Sequence, residues 1–453
     1  MKRTFVKIIA LVLATVSLFS VLSACNSHTH EWGEWQTESL GDCCTKGTEI
    51  RVCKTDSTHT ETRETTFGDH DWSDWQPVGE ADCKTVVKEE RVCKLNDVHK
   101  EQRDGGNGAH KSQAGWVYDE IGHWKVCDVC NEKFDETAHK SSSPATTSKE
   151  EVCDTCGYVM SEKVNLNNKK ILFIGNSYTY YGNCVRMRNS ETYSGRVGDK
   201  SNFYKLCKDS GYNVTVTNWT MDGHNLYDII GDVCTAKNKD CYGTNHYEKL
   251  VKDCGGLNYD YVVLQSGSGK AEWGSNSFIE KIHEYMQDFK DANSKVKFVL
   301  LLPTAVHNNE YAWKPAIKTL AEEGMIIADW GKMVTDIINE KTQVPGSTMT
   351  YNKNSFIVAK STSDGYHPNI LSGYITALMT YCSITGESAV GKGYEFCHEE
   401  TNTSVQFNYE KFIETYYKVG TTNFDKIMRS ANEMNGIQQL VDRYIAEKHY
   451  LNY

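Results

Sequence analysis

The C-terminal part of the sequence predicts a three-layer α/β/α module around a parallel sheet, and the part before it predicts small Cys/His-rich repeat modules. From Lys169 onward, short apolar runs alternate with helical patterns, an order typical of a parallel sheet covered by helices on both faces. Residues 28–156 have few apolar runs, are rich in Cys, His and Trp, and repeat at a fixed spacing. The expected limits are 25–162 for the repeats and 169–453 for the α/β module.

Five short apolar runs in the α/β part have the length and composition of buried strands. Each stops at a glycine, a proline or a polar residue, as strands buried on both faces commonly do. The predicted strands are Lys170–Ile174, Val214–Thr217, Tyr261–Leu264, Lys297–Leu302 and Met325–Ala328. Helical spacing between and after these runs predicts helices over Phe278–Phe289, Lys314–Glu323, Ile370–Ser383 and Phe424–Lys448.

Candidate catalytic residues follow the first predicted strand and precede a late predicted helix. In an open parallel sheet the active site lies beyond the carboxyl ends of the strands. Ser177 sits where the first strand turns into a helix, and Asp364 and His367 lie three residues apart on a later turn. A serine nucleophile needs a base, and the base needs an orienting group, so these three residue types suit a triad. The alternative is that Ser177 only caps a helix and that the Asp-x-x-His pair only forms a turn.

These two segments also resemble a known family. Ile174-Gly175-Asn176-Ser177 resembles the first block of the SGNH/GDSL hydrolases, with Asn176 in place of the usual Asp, and Asp364-x-x-His367 resembles their last block. The resemblance covers about Lys169 to Thr385. It implies a flavodoxin-like α/β/α fold with Ser177 as nucleophile, His367 as general base and Asp364 as the residue that orients the base.

The family resemblance also implies an oxyanion hole, for which the sequence offers only part of the usual set. Gly223 follows the second predicted strand, where the family places a glycine whose N–H contributes to the hole. The Gly-x-Asn-Asp block expected after the third strand is missing, and Gln265 stands there as the predicted substitute donor. Losing one such donor typically costs about a hundred-fold in rate, so the departure matters.

Composition and missing motifs exclude several classes of function. The formal net charge of −11 disfavours nucleic acid as a partner, because phosphate binding needs a basic surface. The chain has neither a G-x-S-x-G elbow nor an H-E-x-x-H motif, which disfavours ordinary α/β-hydrolases and the commonest metalloproteases.

The resemblance implies cofactor-free hydrolysis of a small-molecule or glycan ester through an acyl-enzyme, with carbohydrate O-acetyl groups at the cell surface as the expected target. Two alternatives stay open. One is a non-catalytic surface binding protein on a degenerate SGNH scaffold. The other is a lipase or phospholipase of the same superfamily.

The N-terminal part repeats with a period of 40 residues. The segment His30–Trp35 returns as His70–Trp75, and Cys43, Cys53 and His59 return as Cys83, Cys93 and His99; His110 opens the next unit. An internal period of this length indicates a string of small modules. The units resemble His-Trp and C-x-x-C repeats of surface proteins from anaerobic gut bacteria, and we expect a spacer or binding stalk.

Modules this small usually need a metal or disulfide staple. Mixed Cys/His sets suit zinc, and paired C-x-x-C motifs are the stronger signal. The predicted sets are Cys43, Cys53, His59 and His70; Cys83, Cys93, His99 and His110; and, in a shorter third unit, His123, Cys127, Cys130 and His139, with Cys153/Cys156 as a second C-x-x-C motif. The alternative is disulfides, since the expected compartment is oxidising. The candidate bridges are Cys43–Cys53, Cys83–Cys93, Cys234–Cys241 and Cys382–Cys397.

The first 25 residues predict export and a lipid anchor. Three basic residues precede the apolar run Ile8–Leu22, which is short for a membrane span but typical of a signal peptide. The run ends in Leu22-Ser23-Ala24-Cys25, which resembles the lipobox of bacterial lipoproteins. The resemblance implies a signal peptide over residues 1–24, acylation of Cys25 and an extracytoplasmic protein that contacts the membrane through its lipids alone. The alternative is an ordinary secretory signal.

Overall fold

The computed structural model describes residues 29–185, 201–220, 226, 229, 251–252, 254–265, 276–304, 314–357, 367–399 and 423–452. The chain divides into two compact units. The first runs up to Val117 and includes His123–Thr137; the second comprises Tyr118–Gly122 and Ala138–Tyr453. Within the described ranges, no helix is long and apolar enough to cross a lipid bilayer.

The 40-residue sequence repeat is also a structural repeat. The first module is an antiparallel sheet of β1 (Gln36–Ser39), β2 (Lys46–Val52) and β3 (Thr60–Phe67), and the second repeats it with β4 (Gln76–Val78), β5 (Val86–Cys93) and β6 (Asn96–Asn107). The pairing registers correspond: Thr48 lies opposite Glu64, and Lys88 lies opposite Asp104. The 40-residue period of the sequence therefore corresponds to one three-stranded unit that occurs twice.

Stacked arginine and tryptophan side chains hold each module together. The Arg51 guanidinium lies 5.0 Å from the Trp32 ring and 4.6 Å from the Trp35 ring. Arg91 occupies the equivalent place at 4.8 Å from both tryptophans of the second module. Cation–π contacts at such part-exposed sites contribute about 0.5–1 kcal/mol each. These modules therefore rest on charged and aromatic contacts more than on a buried apolar core.

Short strands continue after the two modules. They are β7 (Val117–Tyr118), β8 (Gly122–Val126) and β9 (Lys133–Ala138), followed by the hairpin of β10 (Glu151–Val152) and β11 (Val159–Ser161). Ala145, Val164 and Leu166 belong to the apolar core of the second unit, and Leu166 is fully buried. The compact second unit thus includes residues before Lys169. The predicted bounds of the repeats, 25–162, and of the α/β module, 169–453, stay predictions.

The second unit contains a five-stranded parallel sheet. Its strands are β12 (Lys170–Gly175), β13 (Thr215–Thr220), β14 (Tyr261–Gln265), β15 (Lys297–Leu301) and β16 (Ile326–Ala328), in the spatial order β13-β12-β14-β15-β16. All four pairings are parallel. This is the flavodoxin-like 2-1-3-4-5 order, whose switch point lies between the first and third strands. All five predicted strands are confirmed within a few residues.

Helices cover both faces of this sheet. Ile171 and Phe173 face one core cluster, and Leu172 and Ile174 face the other, as the two-residue period of a strand requires. The described helices are α1 (Ser177–Tyr180), α2 (Asn202–Asp209), α3 (Asn276–Ala292), α4 (Lys314–Glu322), α5 (Trp330–Ile338), α6 (Lys353–Phe356), α7 (Ile370–Thr385), α8 (Phe396–Glu399), α9 (Asn423–Met428) and α10 (Ala431–Glu447). Helices α2, α5, α7 and α10 contribute to the first cluster, and α3 and α4 to the second. The predicted three-layer α/β/α fold is confirmed.

One predicted helix is wrong in its extent. The stretch Phe424–Lys448 was expected to be continuous, but it forms the two helices α9 and α10. Ser430 breaks it, because its side chain accepts a hydrogen bond from the backbone N–H of Glu433 and so caps α10.

Candidate active site and metal clusters

Ser177 begins the short helix α1, directly after the central strand β12. Asn176 is extended (φ −128°, ψ −156°), and its Oδ1 accepts the N–H of Tyr178 at 3.0 Å. Asn176 is therefore the N-cap, and the alternative interpretation of Ser177 as a mere helix cap is wrong. An Asn serves this capping role as an Asp would. Ser177 itself is 5% exposed, which places its hydroxyl in a largely dry environment.

His367 reaches the same place from the other end of the unit. Its Nε2 lies 2.7 Å from Ser177 Oγ, a distance suited to proton transfer. The following residues anchor the histidine: Pro368 forms a bridge with Ile357, and Asn369 caps α7 by accepting the N–H of Ser372 at 3.1 Å. The structure thus brings together two residues that are 190 positions apart in sequence.

Two tyrosines of the turn that carries Ser177 pack against the histidine ring. Tyr181 stacks on His367 with ring centroids 4.0 Å apart and planes at 16°, and Tyr178 lies 5.3 Å away at 35°. The ring is therefore held from the same turn that carries Ser177. Sequence reasoning did not assign this role to Tyr181, whose only signal was its position four residues after the serine.

Gln265, at the end of β14, supports the turn around Ser177. Its Oε1 accepts the N–H of Asn176 at 2.9 Å and the hydroxyl of Thr179 at 2.7 Å, and the side chain is 1% exposed. A Cβ on Gly175 would lie 2.7 Å from this oxygen, so the glycine permits the close approach. Sequence reasoning placed Gln265 near the site but missed this accepting role. Its role as an oxyanion donor stays a prediction.

A contact between two glycines brings the serine turn and the histidine helix together. Gly182, in the 3-10 turn Tyr181–Asn183, has φ +71°, which favours glycine. A Cβ on Gly373 of α7 would collide with the carbonyl of Gly182. Because neither residue has a side chain, the turn and the helix pack backbone to backbone directly beside the Ser177–His367 pair.

Several predicted functional residues lie outside the described part of the chain. These are Asp364 of the triad, Gly223 of the oxyanion hole, Cys25 of the lipobox and the candidate bridge Cys234–Cys241. Their assigned roles stay predictions.

The repeat modules contain two clusters that could bind a metal, and each has a different membership from the one predicted. In the first, Cys43 meets His70, Cys93 and His99; in the second, Cys83 meets His110, Cys127 and Cys130. Within each cluster the potential ligand atoms lie within 4.8 Å of one another. The prediction that the cysteines and histidine of one unit share a site is wrong. Each cluster combines the first cysteine of one unit with residues of the next.

Cys53 and His59 are therefore not in a site with Cys43. Cys53 pairs with Trp32 as an isolated bridge, and its N–H donates to the carbonyl of His59 at 3.0 Å. The His59 ring packs edge-on against His30 at 4.9 Å. Both residues thus make their contacts within their own module.

The two C-x-x-C motifs also belong to different clusters, contrary to their predicted pairing. Cys153 and Cys156 lie in the second unit with His139, whose Nδ1 is 3.4 Å from Cys156 Sγ. The motif Cys127/Cys130 joins Cys83 and His110 in the first unit. Each motif thus contributes two thiols to a separate candidate site.

Local hydrogen bonds favour ionisation of one thiol in each repeat cluster. Burial opposes ionisation of Cys93, but hydrogen bonds involving His70 and Cys43 outweigh it and lower the pKa to about 6. Burial likewise opposes ionisation of Cys127, and backbone N–H groups of Cys130 and Val129 outweigh it and lower the pKa to about 5. A thiolate is the form that coordinates metals.

The candidate disulfides within the described residues do not form. Cys43 Sγ lies 3.3 Å from Cys93 Sγ and not beside Cys53, and Cys83 Sγ lies 3.5 Å from Cys127 Sγ and not beside Cys93. The Cys382–Cys397 bridge is wrong too, because both are buried thiols and Cys397 Sγ lies 3.6 Å from Asn202 Oδ1.

Comparisons with known proteins give distant structural similarities. No protein-family model matches the chain, and no curated protein matches its sequence. A protein described as a GDSL-like lipase from Parabacteroides merdae is 16% identical with a TM-score of 0.32, over 50% of this chain and 99% of the other. A DUF4886 family protein from Bacteroides uniformis is 13% identical with a TM-score of 0.34, over 62% and 96%.

The acetylxylan esterase Axe2 from Geobacillus stearothermophilus is 14% identical with a TM-score of 0.32, over 49% of this chain and 98% of the other. Similarities at this level assign no activity to the chain, and its fold is defined by its own sheet.

Proposed function

We propose that the chain is a serine ester hydrolase that acts through an acyl-enzyme. The observation that supports this most directly is the 2.7 Å approach of His367 Nε2 to Ser177 Oγ. The pair lies beyond the carboxyl end of β12, beside the switch point at which ligands bind in open α/β sheets. Nucleophile and base within hydrogen-bond reach, with a mostly buried hydroxyl, are the arrangement that covalent ester hydrolysis requires.

In the proposed reaction, neutral His367 accepts the Ser177 proton as Oγ attacks the ester carbonyl. The resulting tetrahedral oxyanion is stabilised by the Ser177 N–H and, by family resemblance, by Gly223 and Gln265. Collapse breaks the ester C–O bond, and His367 returns the proton to the leaving alcohol. Water then attacks the acyl-enzyme by the same steps in reverse. Asp364 orients the imidazole in this scheme.

The proposed substrate class is O-acetylated carbohydrate met at the cell surface, with the lipid on Cys25 as the anchor and the repeats as the stalk. No cofactor is required for this chemistry. The competing functions are a lipase or phospholipase activity and a non-catalytic binding role. The acyl-chain preference separates the proposed acetylesterase from a lipase or phospholipase.

The test compares wild type with Ser177→Ala, His367→Ala and the matched control Ser148→Ala, which changes an exposed serine of the same unit. Rates are measured on p-nitrophenyl esters from acetyl to long chains and on acetylated polysaccharide. We expect the first two variants to lose at least a thousand-fold in kcat/KM on acetyl esters, by analogy with other serine triads, and the control to lose nothing. Equal rates for wild type and Ser177→Ala would refute the assignment, and a preference for long chains would favour the lipase.

A further inference from the structure

The ligands of each repeat cluster come from two consecutive modules. Cys43 lies in the connection between β1 and β2 of the first module, whereas His70, Cys93 and His99 belong to the second. The second cluster repeats this stagger: Cys83 lies between β4 and β5, and its partners His110, Cys127 and Cys130 belong to the third unit. A group bound at either cluster would therefore join two modules.

The spacing of the sulfur atoms suits a shared metal ion. The Sγ–Sγ distances are 3.3 Å for Cys43 and Cys93 and 3.5 Å for Cys83 and Cys127. A disulfide needs about 2.05 Å. Two thiolates on a tetrahedral zinc, each about 2.3 Å from the ion, lie about 3.8 Å apart. The observed distances are closer to the second arrangement.

A buried imidazole nitrogen gives independent support. His99 Nδ1 is buried and has no hydrogen-bond partner among the described residues. A buried nitrogen left without a partner is costly, and metal coordination satisfies it. Both clusters consist of thiols and imidazoles without a carboxylate, as Cys2His2 in one case and Cys3His in the other. These are donor sets of closed, structural zinc sites.

We propose that each cluster binds one Zn²⁺ ion and that the two ions fasten consecutive repeat modules to each other. Each module carries its own hydrogen-bonded sheet, so the metal adds the link between modules that their small apolar surfaces do not provide. This role is separate from ester hydrolysis at Ser177.

The primary test measures metal in the purified full chain by inductively coupled plasma mass spectrometry, covering zinc, iron and copper. Cys43→Ser and Cys83→Ser are each expected to lose one zinc per chain relative to wild type. The matched control is Cys44→Ser, an exposed cysteine next to Cys43 that is not in the cluster, and it is expected to keep all the zinc. A Cys43→Ser/Cys44→Ser double variant prevents the neighbouring thiol from replacing the lost ligand.

A second measurement separates loss of a ligand from failure to fold. Cys43→His restores a zinc ligand and is expected to restore the lost ion, whereas a misfolded module would not regain it. Titration of thiols in denaturant, with and without chelator, then distinguishes metal from oxidation. Absence of zinc together with loss of four titratable thiols, mapped to Cys43–Cys93 and Cys83–Cys127, would overturn the proposal.

The proposed link between modules has its own readout. Chelation of wild type is expected to expose the two junctions between modules, residues 66–70 and 107–110, to limited proteolysis, since unfastened connections are preferred cleavage sites. Esterase activity is expected to stay unchanged. Identical cleavage with and without chelator would refute the link even if zinc binds.

Discussion

At the scale of residues, three polar or aromatic side chains support the turn around Ser177 and the ring of His367. Asn176 caps α1, Gln265 accepts two hydrogen bonds from the turn, and Tyr181 stacks on the base. Each contact restricts the position of Ser177 or the orientation of the His367 ring. In the proposed hydrolase, the nucleophile and the base must be held within a fraction of an ångström, so such supporting contacts would govern the rate without touching the substrate.

Substitutions at Gln265 separate its role as hydrogen-bond acceptor for the serine turn from its predicted role as oxyanion donor. Gln265→Met keeps the volume but leaves the Asn176 N–H and the Thr179 hydroxyl without their acceptor. We expect the free energy of unfolding to fall by about 1–3 kcal/mol, with a fall in kcat, because a buried donor left unpaired is costly. Gln265→Glu keeps an accepting oxygen but has no amide donor.

The measurements are chemical denaturation and steady-state kinetics on p-nitrophenyl acetate. If Gln265 acts only through its oxygen, Gln265→Glu should keep more activity than Gln265→Met. If the amide also donates to the oxyanion, both variants should lose about a hundred-fold in kcat. Wild-type stability in Gln265→Met would contradict the supporting role.

At the scale of elements, the site depends on how closely the 3-10 turn Tyr181–Asn183 can approach α7. Gly182 and Gly373 meet without side chains, and the start of α7 is fixed by Asn369, which donates to the carbonyl of Ser355 at 2.9 Å. The fixed start of α7 thus positions His367, which lies just before the helix, and the end of β12 positions Ser177. Moving either element would change the distance between Ser177 and His367.

Gly373→Ala tests this dependence. The added methyl group collides with the Gly182 carbonyl, so turn and helix must separate, at a cost of about 1–3 kcal/mol typical of an overfilled site. We expect at least a ten-fold loss in kcat/KM on p-nitrophenyl acetate together with a lower melting temperature. The control Ser383→Ala changes the distal end of the same helix and should leave the rate unchanged. Full activity in Gly373→Ala would show that the glycine contact does not set the geometry.

At the scale of the whole molecule, the chain couples an α/β unit to modules that bury very little apolar surface. The modules share one strand register, and each candidate metal site combines residues of two consecutive modules, so a metal bound there would make each module depend on the next. Such dependence is typical of repeat proteins, whose stability includes terms between neighbours.

The proposed anchor gives a prediction for the whole protein. Cys25→Ser removes the residue that would be acylated, and we expect the protein to move from the membrane fraction to the soluble fraction or the medium, since several acyl chains are needed for stable anchoring. The measurement is cell fractionation with immunodetection, with Cys44→Ser as the control cysteine. Wild type already in the soluble fraction or the medium would favour an ordinary secretory signal, and equal membrane association of Cys25→Ser and wild type would indicate another means of attachment.

The sequence by itself determined the features that depend on local patterns. Apolar runs of strand length predicted all five strands of the sheet, and their alternation with helices predicted its three layers. The rule that sites follow strand ends led to Ser177, and the order of motifs led to His367. The 40-residue spacing predicted the repeated modules. The inferences about strands, layers and repeated modules succeed because side-chain periodicity and turn chemistry act over a few residues, whereas the roles of Ser177 and His367 stay predictions.

Only the tertiary structure decided which distant residues meet. It placed Cys43 with Cys93 and not with Cys53, split the two C-x-x-C motifs, and directed the Gln265 oxygen to the serine turn. It also revealed the Gly182–Gly373 contact and the capping role of Asn176. Such pairings follow from the packing of whole elements. Cys53 and Cys93 occupy equivalent positions of the repeat, so the sequence carries no signal of which one the fold brings to Cys43.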